Sequence, residues 1–243
     1  MTNRLVLAGS RVLVVGAGGL GCPAAMALAR AGVGTIGIAD DDLVDASNLH
    51  RQILFREEDV GKPKVEAMAS ALVRIAPDLR VERHATRMLP PNAVELASRY
   101  DLIVEGSDNF PTKFLAADAC MIAKRTVIQA AAIRWHGTAL AVGPSGGPCY
   151  RCLFEDLPRD NAPNCAEAGV FGPVVGIVAA AQADLAIAVL CGEDVAGTLF
   201  TFDGKTLATR RRKISRRAAC PLCGDARSIQ RVEASRYAMS AAL

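Results

Sequence analysis

The chain has 243 residues, 51% of them hydrophobic, and 28 Lys and Arg against 25 Asp and Glu. That length and apolar content can bury a full core. A formal net charge of +3 gives no general affinity for nucleic acid, and eight cysteines in a chain expected to be cytoplasmic argue against a disulfide framework. No charged region followed by an uninterrupted apolar one precedes the first strand, so no cleavable signal is read and the expected location is the cytoplasm.

The first predicted unit is strand, turn, helix. Arg11 to Val15 is an apolar run, and Pro23 to Ala31 is strongly helix-forming. Between them Gly16, Gly18 and Gly21 fit the GxGxxG spacing, which permits a tight turn and lets backbone N–H groups approach a phosphate. A second strand, Thr35 to Ala39, ends at Asp40, where an acid can bind ribose hydroxyls. The pattern says nucleotide but not which one. NAD, a flavin and a purely structural glycine turn all remain open on these residues.

Helical patterns at 63–76, 91–99 and 111–124 alternate with apolar strands at 79–84, 101–105 and 126–131. Such alternation predicts an α/β fold with a doubly wound, mainly parallel sheet. Beyond Trp135 the pattern changes. Thr138 to Val142 reads as a strand, GPSGGPCYRC as a turn-rich stretch, 171–191 as one long helix, and 197–203 and 206–213 as two further strands. No repeat or low-complexity linker appears, so the second half is expected to extend the same sheet within one domain, 1–243, with a nucleotide-binding part to about 145 and a second part, about 146–243, beyond it. The most membrane-like stretch, 171–190, carries Gln182 and Asp184. An acid in mid-span is costly in lipid, which favours a buried core helix over a membrane span. Arg210, Arg211, Arg212, Lys213, Arg216 and Arg217 form a basic cluster that suits either a solvated strand and turn or an acidic partner.

Four cysteines form two pairs, Cys149-Tyr-Arg-Cys152 and Cys220-Pro-Leu-Cys223, each in a Gly/Pro-rich knuckle. A redox role competes for either pair alone, but two similar pairs point to a closed, structural four-thiolate zinc site. It would staple the segment after Val142 to the carboxy terminus. Cys22, Cys120 and Cys191 lie in helical patterns and read as small buried residues, whereas Cys165 sits in a polar stretch, Asn161 to Gly169, where a thiol could be exposed or inert.

The stretch after the second strand separates the nucleotide readings: Asp40-Asp41-Asp42-Leu-Val-Asp-Ala-Ser47-Asn48-Leu-His50-Arg51-Gln52, then Val60-Gly-Lys62-Pro-Lys64-Val-Glu. An arginine and a lysine there can neutralise a triphosphate, and Asp108 in Glu105-Gly-Ser-Asp-Asn109 can hold magnesium. Each has a plainer alternative: Asn48 as a turn residue, Lys62 and Lys64 as a solvated helix start, Asp108 as a helix cap. Together they point to nucleoside triphosphate chemistry, which a dehydrogenase does not need.

GAGGLG, DDDLVDASNLHRQ, VGKPKVE, GSDN, the paired CxxC motifs and PNCAEAGV resemble the MoeB/ThiF/HesA family of ubiquitin-activating-like adenylyltransferases over nearly the whole chain. The resemblance implies a Rossmann-like, mainly parallel sheet extended by antiparallel strands. It implies that ATP adenylylates the carboxy-terminal glycine of a small ubiquitin-like sulfur carrier ending in Gly-Gly, with release of pyrophosphate. Matched motif by motif, Gly18, Gly19, Asp40 and Asn109 take the nucleotide, Asn48, Arg51 and Lys64 contact its phosphates, Asp108 holds Mg2+, and Cys149, Cys152, Cys220 and Cys223 bind zinc. Cys165 matches the position where some members link covalently to the carrier. A homodimer, a separate sulfur donor and neither nucleic acid nor membrane as partner complete the expectation. Family members usually carry an arginine ahead of the first strand that reaches a partner's nucleotide; here only Arg4, within MTNRLVLAGS, occupies that stretch.

Overall fold

The computed structural model describes residues 2–144, 147–158 and 169–238. Eight strands, Arg11–Val15 (β1), Thr35–Ala39 (β2), Arg80–His84 (β3), Leu102–Glu105 (β4), Thr126–Ile133 (β5), His136–Val142 (β6), Thr198–Asp203 (β7) and Ala208–Lys213 (β8), make one sheet in the order β3-β2-β1-β4-β5-β6-β7-β8. Strands β1 to β5 pair in parallel, and β5 to β8 are antiparallel neighbours.

Strand β1 shows why the first half is a two-sided sheet. Its apolar run is continuous because both faces are covered. Val12 and Val14 face one cluster with Ile36 and Ile38, while Leu13 and Val15 face another with Ile103 and Val127. Helices Gly21–Ala31 (α2), Lys64–Ile75 (α3) and Gly172–Leu190 (α7) cover the first face. Helices Ala93–Ser98 (α4), Phe110–Ile122 (α5) and the short Tyr150–Phe154 (α6) cover the second, together with the two cysteine knuckles.

Helix α7 is the one helix among the described residues long and apolar enough to cross a membrane by length and composition, with mean hydropathy 2.0. Here it packs across β4 to β7 and against α2. Gln182, fully buried on it, donates 2.8 Å bonds to the carbonyls of Glu105 and Ile128 and so ties β4 to β5. Asp184 faces outward and pairs with Arg211 at 3.5 Å.

Two local expectations change. Helix α2 begins at Gly21, ahead of the expected Pro23, because the glycine turn feeds straight into the helix and proline fits its first turn. A helix not read from the sequence, Thr2–Gly9 (α1), precedes β1. It is pinned by buried Leu7, whose carbonyl accepts from Ser10 and Gly34, and it carries Arg4 exposed to solvent. Arg210 to Lys213 of the basic run lie on β8, an edge strand exposed along its whole length, where charge discourages pairing with another sheet, and Arg216 and Arg217 follow it in the chain. Several of its cations are engaged internally: Arg216 with Asp225 at 2.7 Å, Arg217 with Glu155, and Lys213 with the carbonyl of Ala196 at 2.7 Å.

Candidate functional site

Strand order reverses at β1, whose parallel neighbours are β2 and β4. In open α/β sheets the crevice at such a point, beyond the carboxyl ends of the strands, is where ligands bind. The pocket found there is lined by the ends of β1 (Val15, Gly16), β2 (Ala39 to Asp42) and β4 (Gly106 to Asp108).

The glycine turn forms its floor. Gly16 has φ +91°, a conformation that L side chains rarely adopt, and a Cβ at Gly21 would lie 1.8 Å from the Gly16 carbonyl oxygen. Helix α2 starts with no side-chain cap and no acid in its first turn, leaving its amino end suited to an anion. Asp40 braces this turn: one carboxylate oxygen accepts the Ala17 N–H at 2.7 Å and the other the Asp42 N–H at 2.9 Å. Burial raises the pKa of Asp40, against the opposing pull of Lys64 and those two N–H donors.

A single 3-10 turn, Ala46–Asn48, is capped by Asp45, whose carboxylate accepts the Ser47 N–H at 2.7 Å. It brings Asn48, Arg51 and Gln52 to the pocket wall. The Arg51 guanidinium donates to the Asn48 side-chain oxygen, which aims the cation across the cleft. Lys64 opens α3 and lines the pocket, with its Nζ 2.9 Å from an oxygen of Asp42. The Lys64 hydrogen bond holds the Asp42 carboxyl below its ordinary range.

Asp108 and Asn109 divide their duties differently from the plain reading of GSDN. Asn109 is the cap of α5, accepting the Thr112 N–H at 2.9 Å, and it is not among the lining residues. The cap of α5 is thus Asn109 and not Asp108, which is exposed and lines the pocket. Gly18, Gly19, Asp40, Asn48, Arg51, Lys64 and Asp108 thus meet in one cleft. The arrangement brings Arg51, Lys64 and the exposed Asp108 together with the glycine turn, a set able to hold a triphosphate with its magnesium.

Sequence reasoning missed Arg87 and Met88, which line the pocket from the segment after β3. Arg87 is steered by Asp41 at 2.7 Å and Asp42 at 3.3 Å, contacts about 45 positions apart that no local pattern reveals. Gln52, also unassigned, is buried in the wall, and its side-chain oxygen has no hydrogen-bond partner among the described residues.

Cys149, Cys152, Cys220 and Cys223 converge on the far side of the sheet with sulfur atoms all within 4.8 Å of one another. Cys149 lies 3.5 Å from Cys220, and Cys152 lies 3.3 Å from Cys223. A tetrahedral Zn–S bond of about 2.3 Å sets sulfur–sulfur spacings near 3.8 Å. The residues therefore fit a structural zinc ion. The Cys152 sulfur accepts the Arg217 N–H at 3.4 Å. Burial and the surrounding thiols push Cys149 strongly up, whereas Cys220, despite burial, is brought down to about 7 by the N–H groups of Cys223 and Leu222. A divalent cation would relieve this crowding of thiolates.

Of the other cysteines, Cys22 and Cys120 are buried as expected, and Cys191 is partly exposed as the cap of α7. Cys165 lies outside the described residues. The chain downstream of it docks on the β5–β6 turn: the Arg134 N–H donates to Gly169 at 2.9 Å, and Phe171 lies against Trp135 with ring centroids 4.4 Å apart.

Comparison with known proteins adds names to this geometry. A family model described as the ThiF family matches residues 2–222. A Thermus thermophilus protein named sulfur carrier protein adenylyltransferase is 42% identical over 222 residues, 88% of this chain and 82% of that protein. The Aedes aegypti protein named adenylyltransferase and sulfurtransferase MOCS3 is 39% identical over 234 residues, 95% of this chain and 54% of that protein, so the chain spans about half the length of such relatives. Among solved structures, E. coli MccB with MccA-N7isoASN aligns at TM-score 0.81 with 22% identity, over 92% of this chain and 69% of that one. That likeness is one of fold.

Proposed function

Since this chain belongs to the ThiF family, we propose that it uses ATP to adenylylate the carboxy-terminal glycine of a small ubiquitin-like sulfur carrier ending in Gly-Gly. The observation that carries this reading is the meeting of Arg51, Lys64 and Asp108 with the glycine turn in one pocket at the switch point of the sheet. The name of the Thermus thermophilus relative, sulfur carrier protein adenylyltransferase, supplies the acceptor class.

The chemistry follows from charge. A carrier carboxylate oxygen attacks the α-phosphorus of ATP, an acyl phosphate bond forms, and the bond to the bridging oxygen breaks with departure of pyrophosphate. Nucleophile and target are both anionic, so the site must screen charge and align the attacking oxygen. Arg51, steered by Asn48, and Lys64 supply fixed positive charge, the N–H groups at the start of α2 take phosphate oxygens, and Asp40 takes the ribose. Magnesium held by Asp108 would neutralise charge on the leaving phosphates. Four thiolates on zinc would hold the carboxy-terminal segment to α6 and leave no open position for chemistry.

The remaining expectations complete the proposal: a homodimer, a cytoplasmic location, a separate sulfur donor, and service in thiamine, molybdopterin or related biosynthesis. Cys165 is assigned a step after adenylylation, in which its thiolate attacks the acyl adenylate, AMP leaves, and a thioester to the carrier remains.

Carrier-dependent exchange of labelled pyrophosphate into ATP tests the reading. Exchange that requires an intact Gly-Gly end and is lost in Arg51→Ala supports it. Absence of exchange, with NAD binding in place of ATP, overturns it. Cys165→Ala should keep the exchange and lose any dithiothreitol-sensitive carrier conjugate.

A further inference from the structure

Directly behind the pocket lies an opposite-charge pair that takes no part in the chemistry above. Glu105, the last residue of β4, and Lys113, in the first turns of α5, have side chains 0% and 3% exposed and meet at 2.9 Å. Taking two charges out of water is costly, and an apolar pair of similar volume often holds a core as well or better. Stability alone gives little reason for this pair.

Its geometry gives another. The second oxygen of Glu105 accepts the backbone N–H of Ser107 at 2.7 Å and also the Ser107 hydroxyl. Lys113 gives a further bond to the carbonyl of Ala130 on β5, and Gln182 of α7 holds the Glu105 carbonyl at 2.8 Å. Asn109 is tied into α5 as its cap. The turn 105–109 is thus fastened before and after Asp108. Among the described residues, Asp108 is the one polar side chain of that turn with no hydrogen bond or ion pair, and it faces the pocket. Lys113 also cancels the charge of Glu105, which would otherwise add to the field of an entering triphosphate.

We propose that Glu105 and Lys113 are positioning residues that hold the Ser107–Asp108 turn so that Asp108 meets a divalent cation carried by a nucleoside triphosphate. This rests on the adenylylation reading of the pocket.

The test compares two double variants, neither of which leaves a lone buried charge. Glu105→Leu with Lys113→Met removes the acceptor for Ser107, whereas Glu105→Gln with Lys113→Met keeps a neutral one. ATP affinity is measured by calorimetry on the whole chain in Mg2+ and in EDTA, beside thermal unfolding and an Asp108→Ala reference. Outer-shell partners of metal ligands typically change metal affinity by about 10–100-fold. The Leu/Met variant is expected to lose the Mg2+-dependent gain in ATP affinity by that factor, with its EDTA affinity and cooperative unfolding unchanged. The Gln/Met variant should retain most of the gain.

Retention of the full gain by Leu/Met, while Asp108→Ala loses it, overturns the positioning role and leaves the reading of the pocket standing. A full gain in Asp108→Ala overturns the role of Asp108 and the inference with it. If Leu/Met does not fold, Ser107→Ala decides: a reduced gain supports the inference, and an unchanged one rejects it.

Discussion

Lys64 keeps its ammonium 2.9 Å from the carboxylate of Asp42, and Asp42 is shared with Arg87 at 3.3 Å. The cation meant for the triphosphate thus has an internal counter-ion. Lys64→Ala removes a positive charge and also leaves Asp42 facing the phosphates less compensated. Loss of one preorganised charge-stabilising group typically costs about 2.7–4 kcal/mol, or roughly 10²–10³ in kcat. The double variant Lys64→Ala/Asp42→Ala should recover part of that loss. Equal pyrophosphate-exchange rates in single and double variants would show that Asp42 does not set the field at Lys64.

The same pair gives a pH dependence with a defined sign. Lys64 holds the folded-state pKa of Asp42 below its ordinary 3.8. The stability that Asp42 contributes is therefore fully present above pH 3.8 and lost as pH falls through the lowered folded value. With the Asp42 side chain 49% exposed, the contribution is small, about 0.2–1 kcal/mol. Thermal unfolding of wild type and Asp42→Asn should differ by a constant amount at neutral pH and converge in acid. A gap that persists at pH 2 counts against the linkage.

Zinc should copurify with the chain, and Cys220→Ser should lower stability well beyond the ~0.5 kcal/mol typical of surface substitutions. The substitution opens the contact between Cys149 at the head of α6 and the carboxy-terminal knuckle, 3.5 Å apart at sulfur. Metal analysis with calorimetric melting before and after chelation checks this. Identical melting of metal-loaded and metal-free protein would remove zinc from the account.

Arg151, inside the first CxxC, is 1% exposed and grips Asp118 of α5 with two bonds of 2.8 and 2.9 Å, while Tyr237 donates to the same carboxylate at 2.8 Å. Removing one member of a buried pair strands the other, at a cost of about 3–5 kcal/mol. Arg151→Met should therefore destabilise far more than Arg151→Met/Asp118→Leu, in which no charge is stranded. Equilibrium urea unfolding distinguishes the two, and equal losses would mean that the pair is not a unit.

These predictions draw unequally on the sequence. The βα alternation, the glycine turn at Gly16, the strand ends at Asp40 and Glu105, and the cysteine knuckles were legible because each is written within one or two turns of chain: a hydrophobic period, a glycine needed for φ, two thiols three residues apart. Arg51, Lys64 and Asp108 stand out by charge in the polar stretches that follow strands, and all three line the pocket. The amino-terminal helix went unread because eight residues with one strong anchor, Leu7, carry too little periodicity.

The amino-acid sequence by itself determined which elements form and which residue types stand at their ends, since backbone propensity and side-chain period are local properties. Tertiary structure alone decided which of those ends meet. The order of the parallel strands set β1 between β2 and β4, and that brought Asp108 and Lys64 to the lining of one pocket. Packing of α6 against α5 likewise set the buried Asp118 on Arg151. A buried charge is stable only beside its partner, and that partner is supplied by the packing of distant elements, which the local pattern around either residue does not encode.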